Sequence, residues 1–321
     1  MNEISPWDRI PTPRQGLHVL KIRGGGSVSC FWGKDFKGAC LFVMELLGDH
    51  SVQFRKFRVR VKGMMPDLRF RDAVNQNLVL RLDSHSDRDL FAGLCLSLVS
   101  ALEQVTDSES ALAIAMMHIQ RWKSFLSGSR QRMSPESVRG LFGELLFLNE
   151  LLDHERLSGT ALDAWAGPEC AQHDFSYEDT AVEIKTITGV GRCHVRISSG
   201  DQLESLKTRL FLRIYRLSEK SDFLHARSLN ALVETVRTRL VDADARDFLD
   251  QKLSKYGYAP LLEYDEPSFL VSSERTYRVQ DGFPRIVRSE LMAGLDNVSY
   301  DIRLEAIASF ECDGSILHGE N

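Results

Sequence analysis

The stretch HDFSYEDTAVEIKTI runs from His173 to Ile187 and holds two carboxylates and an ammonium at telling positions. Val182, Ile184 and Ile187 give its second half the apolar weight of a buried strand. Side chains alternate along a strand, so Glu183 and Lys185 share one face, and Asp174 lies on a short run just upstream. Hydrolysis of a phosphodiester calls for such groups. A water must lose a proton, a highly charged transition state must be neutralised, and an alkoxide must leave. One or two Mg²⁺ ions can serve all three needs. Mg²⁺ takes hard oxygen ligands, commonly one or two carboxylates with several retained waters. Asp174 and Glu183 would supply that pair. Lys185 would orient the attacking water or neutralise charge on the phosphate.

An acid-x-Lys triplet is weak alone, and the chain has two others, Asp35-Phe36-Lys37 and Asp250-Gln251-Lys252. The first sits between glycine-containing turns and the second in a charged helical pattern, so neither has a strand setting. A plainer account of Glu183 and Lys185 is an exposed salt pair, which contributes little to stability. Asp174 has its own plain account, a turn or strand-edge acid.

The elements around the triplet decide between these accounts. Ser134-Pro135-Glu136 is a helix start, with an N-cap serine, proline at the first helical position and an acid in the first turn. The helix it opens is expected to run to about Asp153, with an apolar stripe of Val138, Leu141, Phe142, Leu145, Leu148 and Leu152. Glu144 lies at the edge of that stripe, either facing the site or paired to a base such as Arg139. Gly140 and Gly143 leave room for a close approach. Strands are expected at about 172–177, 181–188 and 193–198, a short helix at 200–206, and a strand at 207–217. Ser199-x-x-Gln202 has the pattern of a capping box, and Gln202 is also a candidate substrate contact. His173 and His194 are candidate phosphate or water contacts, although lone histidines are more often structural.

Upstream, residues 17–83 read as short strands broken by Gly, Asp and Asn. In the expected strand Phe54–Lys62, apolar Phe57, Val59 and Val61 alternate with Arg58, Arg60 and Lys62. The segment Phe54–Arg71 carries seven bases against one acid, Asp67. That row is either a solvated face or a phosphate-binding stripe. Helical periodicity follows at 86–104 and 108–127, and GSRQR (128–132) reads as a linker. Helices at 227–240 and 242–256 and strands near 268–279 and 296–306 complete the chain.

The 321 residues, 43% hydrophobic and 26% charged, have ordinary globular composition and suffice for one large domain or two. Two are expected, at 1–130 and 131–321. A net charge of −5 gives no overall pull toward nucleic acid. No apolar stretch approaches the roughly 20 residues that span a bilayer, and the first residues lack a signal-peptide pattern. A soluble, cytoplasmic protein without a membrane partner is expected. The six cysteines have no zinc-site spacing, so free thiols are expected.

Asp174 followed by Glu183-Ile184-Lys185, after a helix carrying Glu144, resembles the PD-(D/E)XK nuclease superfamily. The helix–strand–strand–strand–helix–strand order of 134–217 matches its core topology. With RGLFGELLFLNEL (139–151) and DGFPRI (281–286), most of the chain is similar to a bacterial PD-(D/E)XK family found beside restriction and phage-defence genes. The resemblance implies an α+β fold with a restriction-endonuclease-like αβββαβ core, an N-terminal β-rich region and a helical connector. It also implies metal ligation by Asp174 and Glu183, joined by Glu144, with Lys185 catalytic and Mg²⁺ or Mn²⁺ as cofactor. The implied activity is DNA cleavage in a restriction or defence system, with other subunits or a second copy as partners. Arg58, Arg60, Lys62 and Gln202 are then the candidate nucleic-acid contacts. Two departures stand out: His173 occupies the place of the usual proline, and Gln202 is followed by Leu206, so the Gln/Tyr submotif of some branches is absent. A non-cleaving nucleic-acid-binding or scaffold subunit on the same fold is the alternative, but intact Asp, Glu and Lys argue against it. Nothing suggests a sugar cleft for a two-carboxylate glycosidase.

Overall fold

A computed structural model of the chain describes residues 5–24, 26–57, 63–83, 88–127, 133–154, 158–189, 191, 193–219, 225–287, 291–292, 295 and 298–318. The fold is α+β and divides into two compact units. One comprises Met1–Arg130 with Ala259–Leu262, the other Gln131–Tyr258 with Glu263–Asn321.

The first unit is built on β1 (Leu17–Lys21), β2 (Cys30–Asp35), β3 (Cys40–Leu46), α1 (Ser51–Lys56), β4 (Met64–Phe70), β5 (Gln76–Leu82), α2 (Arg88–Ala101) and α3 (Ser108–Ser127). Its strands form one antiparallel sheet in the order β1-β2-β3-β5-β4. The central strands β3 and β5 are buried along most of their length, as their Val, Leu and Phe content requires. Trp7 anchors the core, stacking on Phe91 at 5.3 Å and donating its indole N–H to the Leu41 carbonyl at 2.8 Å.

The basic segment differs from its sequence pattern. Ser51–Lys56 is helical, so Phe54–Lys56 belong to no strand. The Asp49 carboxylate accepts the Ser51 N–H at 2.9 Å, and Arg55 and Lys56 fall in the last turn, where cations favour a helix C-terminus. Arg58, Arg60 and Lys62 lie outside the described residues. The strand comes later, as β4, despite Pro66. An edge strand tolerates proline because one side of its backbone needs no ladder partner, and β4 is the sheet's edge. Its neighbouring cations are neutralised: Arg69 pairs with Asp67 at 2.7 Å, and Arg71 with Glu45 at 2.8 Å.

The second unit contains α4 (Pro135–Asp153), α5 (Ala161–Ala164), β6 (Phe175–Tyr177), β7 (Thr180–Thr188), β8 (His194–Ile197), β9 (Arg209–Glu219), α6 (Leu229–Arg239), α7 (Ala243–Tyr256), β10 (Phe269–Val279), β11 (Tyr300–Arg303) and β12 (Glu311–Cys312). Ser134 caps α4 by accepting the Ser137 N–H at 3.2 Å. The main sheet runs β12-β10-β9-β7-β6, with β7 and β9 parallel and the other pairs antiparallel.

Two features depart from the expected core. The third strand, β8, leaves the main sheet and pairs with β11, His194 opposite Arg303. The expected helix at 200–206 is a single 3-10 turn, Gly200–Leu203. Both follow from how apolar surface is buried. Val195 and Ile197 of β8, Leu203 of the turn and Ile302 of β11 pack onto Ala181, Ile187, Leu210, Leu212 and Ile214. Thus β8 serves as a lid of side chains over the sheet rather than as a member of it. The opposite face takes α4. Gly143 permits the approach, since a Cβ there would sit 2.6 Å from Thr186 Cγ2 and 3.2 Å from Ile184 Cγ2.

Candidate active site at the edge of β7

The short β6 shapes the site. Its pairing with β7 ends at Phe175 opposite Val182, so the next backbone donor along that edge of β7 needs another partner. Asp174 provides it: Oδ2 accepts the Ile184 N–H at 2.8 Å. The Asp174 carbonyl is held in turn by the N–H groups of Ala166 and Gly167 at 2.8 and 3.0 Å. Asp174 is therefore fixed by its own backbone and by the strand beside it.

Ala181, Glu183, Lys185 and Ile187 alternate onto the face of β7 covered by β8, while Val182, Ile184 and Thr186 alternate onto the face toward α4. Glu183 is 1% exposed. Lys185 Nζ lies 2.8 Å from Glu183 Oε1 and donates to Gln202 Oε1 at 3.1 Å. The exposed salt pair is thus excluded: the two charges meet, but out of water. Gln202 Oε1 also accepts the Ser198 N–H at 2.8 Å. Gln202 is therefore a brace for Lys185, and the reciprocal capping box is not formed. Ser199 caps the turn alone, by accepting the Asp201 N–H at 3.3 Å.

Glu144 reaches the same edge from α4. It does not pair with Arg139, which binds Glu136 and Glu219 instead. Its two oxygens accept from the Trp165 indole at 2.7 Å and the Tyr256 hydroxyl at 2.8 Å. Gly140, one turn earlier on α4, leaves the space through which Tyr256 passes, as a Cβ there would lie 3.1 Å from its hydroxyl. Neither aromatic partner was a candidate from the sequence. A weak signal existed for one: Lys252 and Tyr256 are four apart on α7, and Lys252 also turns to this region, donating to the Trp165 carbonyl at 2.5 Å. His173 is buried beside the site with Nε2 lacking a hydrogen-bond partner, and His194 is exposed on β8.

The electrostatics show a surplus of acid. Burial raises the Glu183 carboxyl from 4.5 to about 8; Asp174 adds to the rise, and Lys185 opposes it. Burial also lifts Glu144 well above the carboxylate range, with Asp174 and Glu183 reinforcing it against the Trp165 and Tyr256 donors. Asp174 is raised by burial, moderated by the Ile184 N–H and Lys185. Burial disfavours the Lys185 charge, but Glu183, Asp174 and Glu144 outweigh it and hold that pKa above its ordinary value. With one ammonium among three carboxyl groups, burial keeps protons on the acids, protons that a bound cation would displace.

The donor set suits a hard divalent ion. Glu183 Oε1 is buried with Lys185 Nζ as its ion-pair partner, and a carboxylate oxygen keeps a second lone pair for a metal. Gly167 keeps the space between the acids open. A Cβ at that position would meet Glu144 Oε2 at 2.2 Å and Asp174 Oδ1 at 3.4 Å. Among the described residues, no three His, Cys, Asp or Glu side chains form a ready-made metal cage. Two carboxylates with retained waters need none. All six cysteines are free.

Asp174 followed by Glu183-Ile184-Lys185 follows the residue pattern that the PD-(D/E)XK name spells, with His173 in the place of the proline. Over residues 4–305 the chain matches the family described as "Putative PD-(D/E)XK family member, (DUF4420)", and it belongs to that family. No curated protein and no solved structure matches the chain. No helix among the described residues is long and apolar enough to cross a membrane.

Proposed function

We propose that this protein is a metal-dependent endonuclease that hydrolyses DNA phosphodiester bonds, as the cleavage component of a restriction or phage-defence system. The observation that carries this reading is the meeting of Asp174, Glu183 and Glu144 around Lys185 at one sheet edge, with Lys185 braced by Gln202. Family membership supports it. A bound Mg²⁺ or Mn²⁺ would supply a Lewis acid for the phosphoryl oxygen and lower the pKa of an attacking water. Asp174 and Glu183 would hold that ion, with Glu144 beside them as a further oxygen donor once the ion displaces its proton. Lys185 has three N–H donors, one given to Gln202 and one side turned to Glu183. The third would serve an incoming phosphate, where a fixed cation stabilises developing negative charge. The two buried acids and the lysine favour this reading over a non-cleaving scaffold, which has no need to bury them.

The test is plasmid cleavage by purified full-length protein in Mg²⁺ or Mn²⁺, with any partner subunits it requires. Lys185→Ala should lower the rate by about two or more orders of magnitude, the scale for losing one charged transition-state group. Its melting curve should stay near that of the wild type. Cutting at the wild-type rate by Lys185→Ala would refute the mechanism.

A further inference from the structure

A second basic feature lies outside the catalytic edge. Where β9 begins and β10 ends, Lys207, Leu210, Arg278, Asp281 and Arg285 are among the residues that line an open cleft of about 430 Å³. Three cations face one acid there. Among the described residues, no ion pair neutralises Lys207, Arg278 or Arg285. Lys207 is tethered instead to the Glu178 carbonyl, and Arg285 to the Leu203 carbonyl at 2.6 Å. A carbonyl positions an ammonium or guanidinium without cancelling its charge. These tethers leave further N–H donors facing outward, as does exposed Arg278. Ser205 adds a hydroxyl, while the Thr208 hydroxyl is given to the Asp179 carboxylate at 2.6 Å, a second acid at the rim. This set of fixed cations and small polar side chains, open to solvent, fits an extended polyanion better than an enclosed small molecule.

The cleft is joined to the catalytic edge in two ways. Leu210 in its wall pairs in register with Ala181, two strand positions before Glu183, or roughly 7 Å of backbone. Arg285 holds Leu203, whose neighbour Gln202 braces Lys185. One DNA strand carries a charge about every 3.4 Å of helix axis, so the cleft and Lys185 lie within a few nucleotides of each other.

We propose that the Lys207–Arg278–Arg285 cleft binds the phosphodiester backbone of the DNA strand that is presented to Lys185. The assignment rests on the nuclease reading above and gives the substrate a path over the second unit, independent of the basic segment before β4.

The experiment is fluorescence-anisotropy titration of a short labelled DNA duplex in EDTA, over a series of salt concentrations, with plasmid cleavage measured in parallel. Combined Lys207→Ala, Arg278→Ala and Arg285→Ala should weaken binding at least about tenfold and flatten the log–log salt slope by about 2–3, near 0.9 per lost contact. Because Arg285 also steadies Leu203, exposed Arg278→Glu is the companion variant, expected to weaken binding with an unchanged melting curve. If wild type cuts plasmid while both variants keep its affinity and salt slope, the cleft assignment is wrong and the nuclease reading stands. If wild type neither binds nor cuts DNA, the nuclease reading fails and the cleft's ligand fails with it. The same duplex made of RNA separates the two polymers: a loss confined to RNA would overturn the DNA assignment.

Discussion

Glu183-Ile184-Lys185 and Asp250-Gln251-Lys252 share one pattern of acid, spacer and lysine, and both place their acid out of water. On β7 the period of two sets acid and lysine side by side, 2.8 Å apart. On α7 two residues turn through about 200°, so the members of the pair point away from each other. Asp250 pairs with Arg237, while Lys252 donates to Glu169 at 3.1 Å and to the Trp165 carbonyl. Each α7 charge is matched by a partner from elsewhere in the second unit. On β7, acid accumulates beyond what the lysine can match. The same letters thus make a structural tie on a helix and a site short of positive charge on a strand.

This contrast can be broken by experiment. The largest effect is expected at the α7 triplet. Asp250→Ala leaves buried Arg237 without its inner partner, and breaking such a pair costs about 3–5 kcal/mol. Denaturant melts should show that loss, with cleavage falling only as the folded fraction falls. A stable Asp250→Ala protein that had lost cleavage would erase the distinction between the triplets.

The next effect, smaller per pH unit but spread over several units, concerns pH. The folded chain holds the Glu183 proton up to about 8, whereas an ordinary glutamate releases it near 4.5. Because the folded pKa is the higher one, this contribution to stability is fully present below about 4.5 and is lost as pH rises through about 8. The expected slope is roughly 1.4 kcal/mol per pH unit inside that window, in EDTA. Glu183→Gln should flatten it. Added Mg²⁺ should raise the wild-type melting temperature at pH 8 and leave Asp174→Asn/Glu183→Gln unmoved. A wild-type curve already flat between those limits would show that the surplus of acid is not felt.

The smallest effect is expected at Tyr256→Phe, which removes one of the two donors to Glu144 and keeps the ring. About 1 kcal/mol of stability should go, with a larger proportional change in cleavage rate than in stability. Equal, small changes in both would make Tyr256 a packing residue only.

Much of this was legible in the sequence because it depends on local rules. Ser134-Pro135-Glu136 fixes the start of α4, and the alternation in 181–188 fixes β7 and the shared face of Glu183 and Lys185. Other features escaped for physical reasons. Pro66 obscured β4 because tolerance of proline depends on being at a sheet edge, which is a tertiary fact. The cation-rich run beginning at Phe54 suggested a strand, yet Arg55 and Lys56 serve the end of α1. β8 has a strand pattern but not the expected neighbour, since alternation fixes which face is apolar and not which edge is joined. Trp165 and Tyr256 stand 21 and 112 residues from Glu144, beyond any spacing rule. The cleft cations are likewise scattered along the chain, and only the fold brings the start of β9 beside the end of β10 and the residues after it.

The Asp174–Ile184 bond has a practical consequence for genetics on this family. One side chain both completes the backbone ladder of β7 and supplies a proposed ligand oxygen, so selection for folding and selection for chemistry fall on the same atom group. A survey of inactive alleles will therefore recover Asp174 replacements for two unrelated reasons. Asparagine keeps an acceptor for the Ile184 amide and gives up the charge; alanine gives up both. The ratio of asparagine to alanine among alleles that still accumulate as folded protein reports which of the two duties constrains the position.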